Sequence, residues 1–247
     1  MIRGTRERKG CWREYRRSNV KSTILTLKGN GVIERDYIMR MINLLTRFLA
    51  RALFHRKAYE FPQARHELEA AYKSLLGLSP SFVREFSDEQ IIGMFGRDED
   101  TLVLKSYILG SLIKEEGEIL LLEGKGEEGS RDFLRSLSLL LTAFVVAEDE
   151  AQEGHCSAIE ELLERLREVE LPLHVKEKLL VYDELRGEYS KAEDVLFELV
   201  ESEQSWVRSG LGFYERLLKR TDEELAAGGL PRTEVLEGME DLKKRET

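Results

Sequence analysis

Few side chains in this sequence stand where chemistry would need them. His66-Glu67 opens the H-E-x-x-H pattern, in which two imidazoles one turn apart hold zinc and the Glu acts as base. Position 70 is Ala, so no zinc helix is expected there. His155-Cys156 offers two adjacent metal ligands, but no other Cys or His pair has the spacing to complete a tetrahedral set. Neither Cys11 nor Cys156 lies in a C-x-x-C or a nucleophile motif. Gly124-Lys-Gly-Glu-Glu-Gly129 lacks the G-x-x-x-x-G-K-[ST] spacing and follows a predicted helix where a phosphate loop follows a strand. Glu115-Glu116 and Glu160-Glu161 are neighbours in sequence, so on a helix they point to different sides and read as solvated surface. A di-iron bundle needs Glu-x-x-His on two helices, a pattern absent here. No catalytic residue, metal or cofactor is therefore expected, and the protein reads as non-enzymatic.

One row of side chains does carry a recognition chemistry. Arg40, Arg47 and Arg51 fall within a narrow stripe at about 100° per residue, with His55 and Arg65 near its end. A guanidinium is planar and binds carboxylate or phosphate through two parallel N–H bonds. If the row lies in a groove, it suits an acidic peptide segment or the C-terminal carboxylate of a polypeptide. If it lies on an open helix back, nearby acidic residues satisfy it and it is ordinary surface.

The element that must hold this row is predicted from Glu34 to His55. Ile38, Met41, Ile42, Leu45, Phe48, Leu49, Ala52 and Leu53 form its apolar face, with no Gly or Pro between them. The later helices are expected to stack on it.

The whole sequence favours helices. Its 247 residues contain only four prolines, are 42% hydrophobic and 34% charged, and show almost no alternating β-branched runs. The longest apolar run, near Leu137–Val146, is too short to span a bilayer, and the first thirty residues lack the apolar segment of a signal peptide. Two cysteines in unlike contexts suit reduced thiols and a cytoplasmic address.

The net charge of −9 is unevenly spread. Residues 1–31 hold nine Lys/Arg against two Glu, a net +7, which leaves −16 on the remainder. An acidic body repels nucleic acid unless its basic residues cluster. Residues 1–33 therefore read as a basic N-terminal extension outside the folded domain, with several readings open. It is a disordered arm, an arm for nucleic acid or a membrane surface, a targeting peptide, against which Glu7 and Glu14 count, or, last, sequence that is not translated. For the last, Lys28-Gly29 is encodable as purine-rich AAG-GGN just before Val32, whose GTG codon serves as a bacterial start.

Along residues 34–247 the signals of paired helices recur. Pro62 fits the first turn of a helix that Gly77 and Pro80 stop. Ser87-Asp-Glu-Gln90 is a capping signature, and Glu99–Glu123 reads as a long helix with Gly110, Gly117 and Gly124 spaced by seven for close approach of a neighbour. Asp132–Ala147, a helix capped at Ser157, Leu173–Leu185, Tyr189–Leu199, Ser205–Lys219 and Thr233–Arg245 complete the set, with Trp206 plugging the terminal cap.

Two junctions resemble the tetratricopeptide repeat. Gly187-x-Tyr189-x-x-Ala192-x-x-x-Leu196-x-x-Leu199 is similar to the turn and second helix of that family, where a small residue ends the first helix and another lets the second approach closely. Phe61-x-x-Ala64-x-x-x-Leu68-x-x-Ala71 repeats the spacing, with Ala52 and His55 at first-helix positions. Tyr59 stands where that family has a small residue, Pro80 comes four residues late, and the pair Gly124–Ala147 departs from the pattern. The run Asp36-Tyr-Ile-Met-Arg-Met-Ile42 also resembles an uncharacterised family of Gram-positive bacteria, which has no known activity to lend.

The expected fold is all-α: an α/α solenoid of roughly ten helices in antiparallel pairs over residues 34–247. The expected function is a protein- or peptide-binding repeat module, a scaffold or adaptor of the bacterial cytoplasm with no membrane partner. Nucleic acid enters only through a genuine N-terminal arm. The alternative is a helical small-molecule sensor or enzyme whose site is assembled from scattered residues.

Overall fold

A computed structural model describes residues 31–96, 98–147 and 153–246. The basic head, including Cys11, lies outside them. The protein divides into two compact units, Met1–Thr46 and Arg47–Thr247. In the first, the described residues are the opening turns of α1 (Gly31–Lys57). The second carries the rest of α1 and all later elements. Every regular element among the described residues is helical and none is a strand, so the all-α expectation holds.

Local signals start and stop these helices. α2 (Phe61–Ala71) begins with Pro62 in its first turn, passes into a π-helical turn at Tyr72–Leu76, and ends at Gly77 with a φ of 68°. Ser79 caps α3 (Pro80–Arg84) by accepting the Phe82 amide at 3.2 Å. At α4 (Asp88–Met94), Ser87 Oγ accepts the Gln90 amide while Gln90 Oε1 accepts that of Ser87. Asp98 accepts the Thr101 amide at 2.8 Å and opens α5 (Glu99–Leu122). Next come α6 (Gly126–Val146), α7 (Glu153–Arg165), α8 (Leu173–Arg186) and α9 (Tyr189–Ser202). The 3₁₀ turn Gln204–Trp206 leads into α10 (Val207–Leu217), followed by α11 (Asp222–Ala227) and α12 (Arg232–Glu246). The Ser157 cap is corrected: α7 starts four residues earlier, and Ser157 lies inside it.

α5 and α6 form the tightest pair, with two glycines at the closest approach. A Cβ on Gly117 would lie 2.7 Å from the Phe133 ring, and one on Gly129 would lie 3.1 Å from the Gly117 carbonyl oxygen. Two turns along, Ser136 Oγ donates to the Gly110 carbonyl at 2.7 Å, so its buried hydroxyl is satisfied by the facing helix. Gly124 does not share this role. α5 has already ended at Leu122, and Gly124 sits in the turn with a φ of 78°.

Three helix pairs are joined by turns of one backbone conformation. Tyr59, Gly124 and Gly187 hold φ values of 59°, 78° and 75°. The next residues, Glu60, Lys125 and Glu188, hold φ near −90° and ψ near 60°, copied closely from turn to turn (−90°/63°, −97°/59°, −84°/63°). Their amides each reach back to a carbonyl five residues earlier, His55, Leu120 and Asp183, at 2.9 Å in all three cases. Five residues after each left-handed position stands a small residue, Ala64, Gly129 and Ala192 in turn, and all three are buried. The middle pair therefore turns as the outer two do, although Gly126 replaces their aromatic residues.

The apolar core follows these pairs. One cluster joins α6, α7 and α8 through Leu137, Leu141, Phe144, Ile159, Leu162, Val175 and Tyr182. Another joins α8 to α12 through Ala192, Leu196, Phe213, Tyr214, Leu225 and Leu242, with Trp206 buried in it.

Candidate functional site

The five side chains singled out by type and spacing fare differently. Arg40, on the part of α1 in the smaller unit, is exposed. Arg47 is exposed and forms no ion pair among the described residues. Arg51 donates to Glu67 at 3.3 Å, lies 5.6 Å above the Phe48 ring, and keeps 59% of its side chain exposed. His55 Nδ1 meets Glu60 at 2.7 Å. Arg65 is fully engaged, donating to both oxygens of Glu123 at 2.7 Å and so binding α2 to the residue that ends α5. Its charge lowers the Glu123 carboxyl to about 2, helped by Lys125.

The same helical period adds one residue that the arginine reading passed over. Phe54 is seven residues on from Arg47 and three from Arg51, hence on the same stripe at about 100° per residue. It is 68% exposed.

Behind this surface α5 organises the charge. Glu115 and Glu116 are not solvated, and that reading is corrected. The Glu116 residue is 9% exposed and Glu118 6%, and the Glu115 side chain is 13% exposed. Each carboxylate meets an arginine from another element. Arg56 of α1 donates to Glu115 at 2.6 Å and to Glu118 at 3.3 Å, Arg165 of α7 approaches Glu118 to 3.0 Å, and Arg84 of α3 donates to Glu116 at 3.1 Å. Adjacent residues do point to different sides of a helix, but α5 has neighbours on several sides, so both directions lead inward. The exposed reading does hold for Glu160 and Glu161.

Glu116 is the most perturbed of this group. Burial raises its carboxyl to about 7, Arg84 opposes the rise, and the Asp132 charge adds to it. The Tyr72 hydroxyl and Asp132 Oδ2 beside it are buried without a hydrogen-bond partner. A second polar cluster surrounds Lys178 of α8, whose ammonium donates to Ser138 Oγ at 2.8 Å and to the Ser138 carbonyl at 3.2 Å. Burial lowers its pKa, and Asp88 and Glu89 counteract that. Ser138 has no exposed surface, so this Ser–Lys contact ties α8 to α6 and presents no nucleophile to a substrate. Arg135 donates to Asp88 and to the Val83 and Phe86 carbonyls, which fixes α3 and α4 against α6. Cys156 is a buried thiol, and no group of three or more His, Cys, Asp or Glu among the described residues is arranged around a metal position. No helix among them is long and apolar enough to cross a membrane.

An all-α protein of helix pairs, braced by arginine–carboxylate contacts around one central helix, is the class that this geometry defines. Residues 32–247 match the model of a family of unknown function, DUF6483, and the chain belongs to that family. The match takes in the opening helix. No curated protein and no solved structure matches the chain.

Proposed function

We propose that this protein is a peptide-binding helical-repeat module, similar in plan to tetratricopeptide-repeat proteins and acting as a scaffold or adaptor in the bacterial cytoplasm. The repeat plan is supported by the three turns of common conformation at Tyr59, Gly124 and Gly187. The observation that carries the binding role is the α1 stripe of Arg47, Arg51 and Phe54, exposed on the larger unit. Charge complementarity selects the occupant. Two guanidinium groups stand out from a protein of net charge −9, and a guanidinium fork accepts a carboxylate in bidentate fashion. The exposed ring of Phe54 supplies an apolar anchor of the kind that dominates small interfaces. The occupant is an acidic peptide segment with at least one apolar residue, or a polypeptide C-terminus of that composition. Arg40 belongs to the smaller unit and is not needed for this site, whereas Arg65 is spent on Glu123 and His55 on Glu60.

The test is fluorescence anisotropy with labelled Asp/Glu-rich peptides containing Leu, against Asn/Gln counterparts of equal length. The acidic peptides bind, binding weakens as salt screens the charges, and the double variant Arg47→Glu with Arg51→Glu abolishes it while the helical circular dichroism spectrum is unchanged. Phe54→Ala weakens binding without changing its salt dependence. Equal binding of acidic and neutral peptides, or undiminished binding by the double variant, overturns the proposal.

A further inference from the structure

A second surface is the cleft bounded by α7, α8 and α9, which no α1 residue lines. Its volume is about 280 Å³, near the lower limit for small-molecule sites, so it suits a ligand the size of one long side chain. Leu163, Leu179 and Val195 supply apolar lining. The polar lining has two unusual members. Asp183 is 5% exposed, yet its carboxylate makes no hydrogen bond and no ion pair among the described residues. Tyr182, beside it, has a buried hydroxyl with no hydrogen-bond partner. The Tyr182 ring is held edge-on against Phe144 at 4.6 Å, so the hydroxyl has a defined position.

The charges around them are unbalanced. Glu160, Glu188 and Asp194 join Asp183 as acidic lining residues, against Arg186 and Lys191. Arg186 pairs with Glu160 at 3.5 Å and Lys191 with Glu188 at 3.4 Å, which leaves Asp183 and Asp194 without an ion pair of their own among the described residues. A nearly buried carboxylate with no donor from the protein is costly, and a donor that arrives with its own positive charge relieves that cost most fully. A neutral ligand would leave the negative potential in place, and an anion would add to it.

We propose that this cleft is a binding site for an alkylammonium or alkylguanidinium group, with the charged end on Asp183 and the alkyl portion on Leu163, Leu179 and Val195. The site is separate from the α1 stripe and does not rest on it. Either a free amine or guanidine, or the side chain of a lysine or arginine in a peptide, presents this chemistry.

Titration of the cleft gives the site its own signature. Burial raises the Asp183 carboxyl to about 7, with Lys191 of α9 opposing and Glu188 adding, while Arg186 of α8, Glu160 of α7 and Asp194 of α9 also line the cleft. A cation that binds the carboxylate form displaces the proton, so below pH 7 binding is accompanied by proton release.

Isothermal titration calorimetry with agmatine, with an acetylated Ala-Arg-Ala amide, and with the same peptide carrying neutral citrulline tests this directly. Agmatine or the arginine peptide binds and the citrulline peptide does not. At pH 6 the enthalpy depends on the ionisation enthalpy of the buffer. Tighter binding of agmatine identifies a free small ligand, and tighter binding of the peptide identifies a protein side chain. Asp183→Asn lowers affinity by roughly tenfold or more, as expected for loss of a charge-assisted bond. Lys191→Ala raises affinity by removing a competing cation, a gain that misfolding cannot imitate. Failure of both cationic probes to bind the wild-type protein, equal binding of the citrulline peptide, or affinity unchanged by Asp183→Asn overturns the inference.

Discussion

Arg65 and Glu123 face each other through two parallel N–H···O bonds of 2.7 Å, joining α2 to the residue that closes α5 across 58 positions of sequence. The pair is partly exposed, with 41% of the Arg65 side chain and 18% of the Glu123 side chain in solvent. Its geometry is the bidentate one in which an ion pair near the surface still contributes.

Arg65→Ala is expected to destabilise the protein by about 1 kcal/mol at neutral pH. The Glu123 carboxyl is lowered by Arg65 to about 2, below its ordinary 4.5. Its stabilisation is therefore complete above about pH 4.5 and is lost as the pH falls toward 2. Urea titrations at pH 7 and near pH 2.5 check this: the difference between wild type and variant shrinks at the lower pH. A difference that does not change with pH would assign the effect to lost packing of the arginine stem.

Glu116 gives the opposite slope. Burial raises its carboxyl from 4.5 to about 7, so the unfolded chain loses this proton before the folded one does. Stability falls as the pH rises from about 4.5 through 7, by up to about 1.4 kcal/mol per pH unit for one such group. Glu116→Gln removes the charge and keeps the shape. The variant is expected to be more stable than wild type by up to about 3 kcal/mol at pH 8, and similar to it near pH 4.5, where the glutamic acid is largely neutral in the folded state. Denaturation at the two pH values distinguishes this from a uniform effect.

The interior charge of α5 also marks where sequence stops being informative. Short-range signals were readable: Ser87 with Gln90, Pro62, Gly77 and the close approach at Gly110 and Gly117 each depend on residues a few positions apart or on one chemical fact about glycine or proline. The partners of Glu115, Glu116 and Glu118 are 59, 32 and 47 positions away, and nothing local points to Arg56, Arg84 or Arg165. The available hint was that α5 carries apolar residues on every side, as a helix with no solvent face does. The arginine stripe was readable from period alone, and so was Phe54. Which arginines were already engaged was not, because Glu67 and Glu123 come from other elements. Asp183 carried no signal of its own, since its exposure depends on how α7, α8 and α9 meet.

Gly117→Ala tests the contact between α5 and α6. The added methyl would sit 2.7 Å from the Phe133 ring and 3.2 Å from the Gly129 carbonyl, and the backbone oxygen has little freedom to withdraw. A loss of about 1–3 kcal/mol is expected, outweighing alanine's better helix propensity. Gly93→Ala in α4 is the control. Its added Cβ meets nothing within 4 Å, so the variant gains up to about 1 kcal/mol from propensity. Thermal melts of the two variants are expected to shift in opposite directions.

Tyr59 is the one residue other than glycine with a positive φ among the described residues. It occupies the turn position that Gly124 and Gly187 fill in the other two helix pairs, with nearly the same backbone geometry and the same 2.9 Å bond from the next residue's amide to the carbonyl five residues back. For a side chain with a Cβ, the left-handed conformation costs about 1–2 kcal/mol. Little repays it locally, since Tyr59 is 70% exposed and its ring makes only an edge contact with Phe61 at 5.9 Å. Tyr59→Gly relieves the strain but admits a more flexible unfolded chain, which returns about 0.5–1 kcal/mol. The net expectation is a gain of about 0.5–1 kcal/mol and a melting temperature higher by a few degrees. Gly187→Ala makes the reverse change and is expected to lower the melting temperature by a similar amount. If Tyr59→Gly instead destabilises the protein, the tyrosine contributes a contact that outweighs its backbone strain, and the equivalence of the three turns is conformational without being energetic.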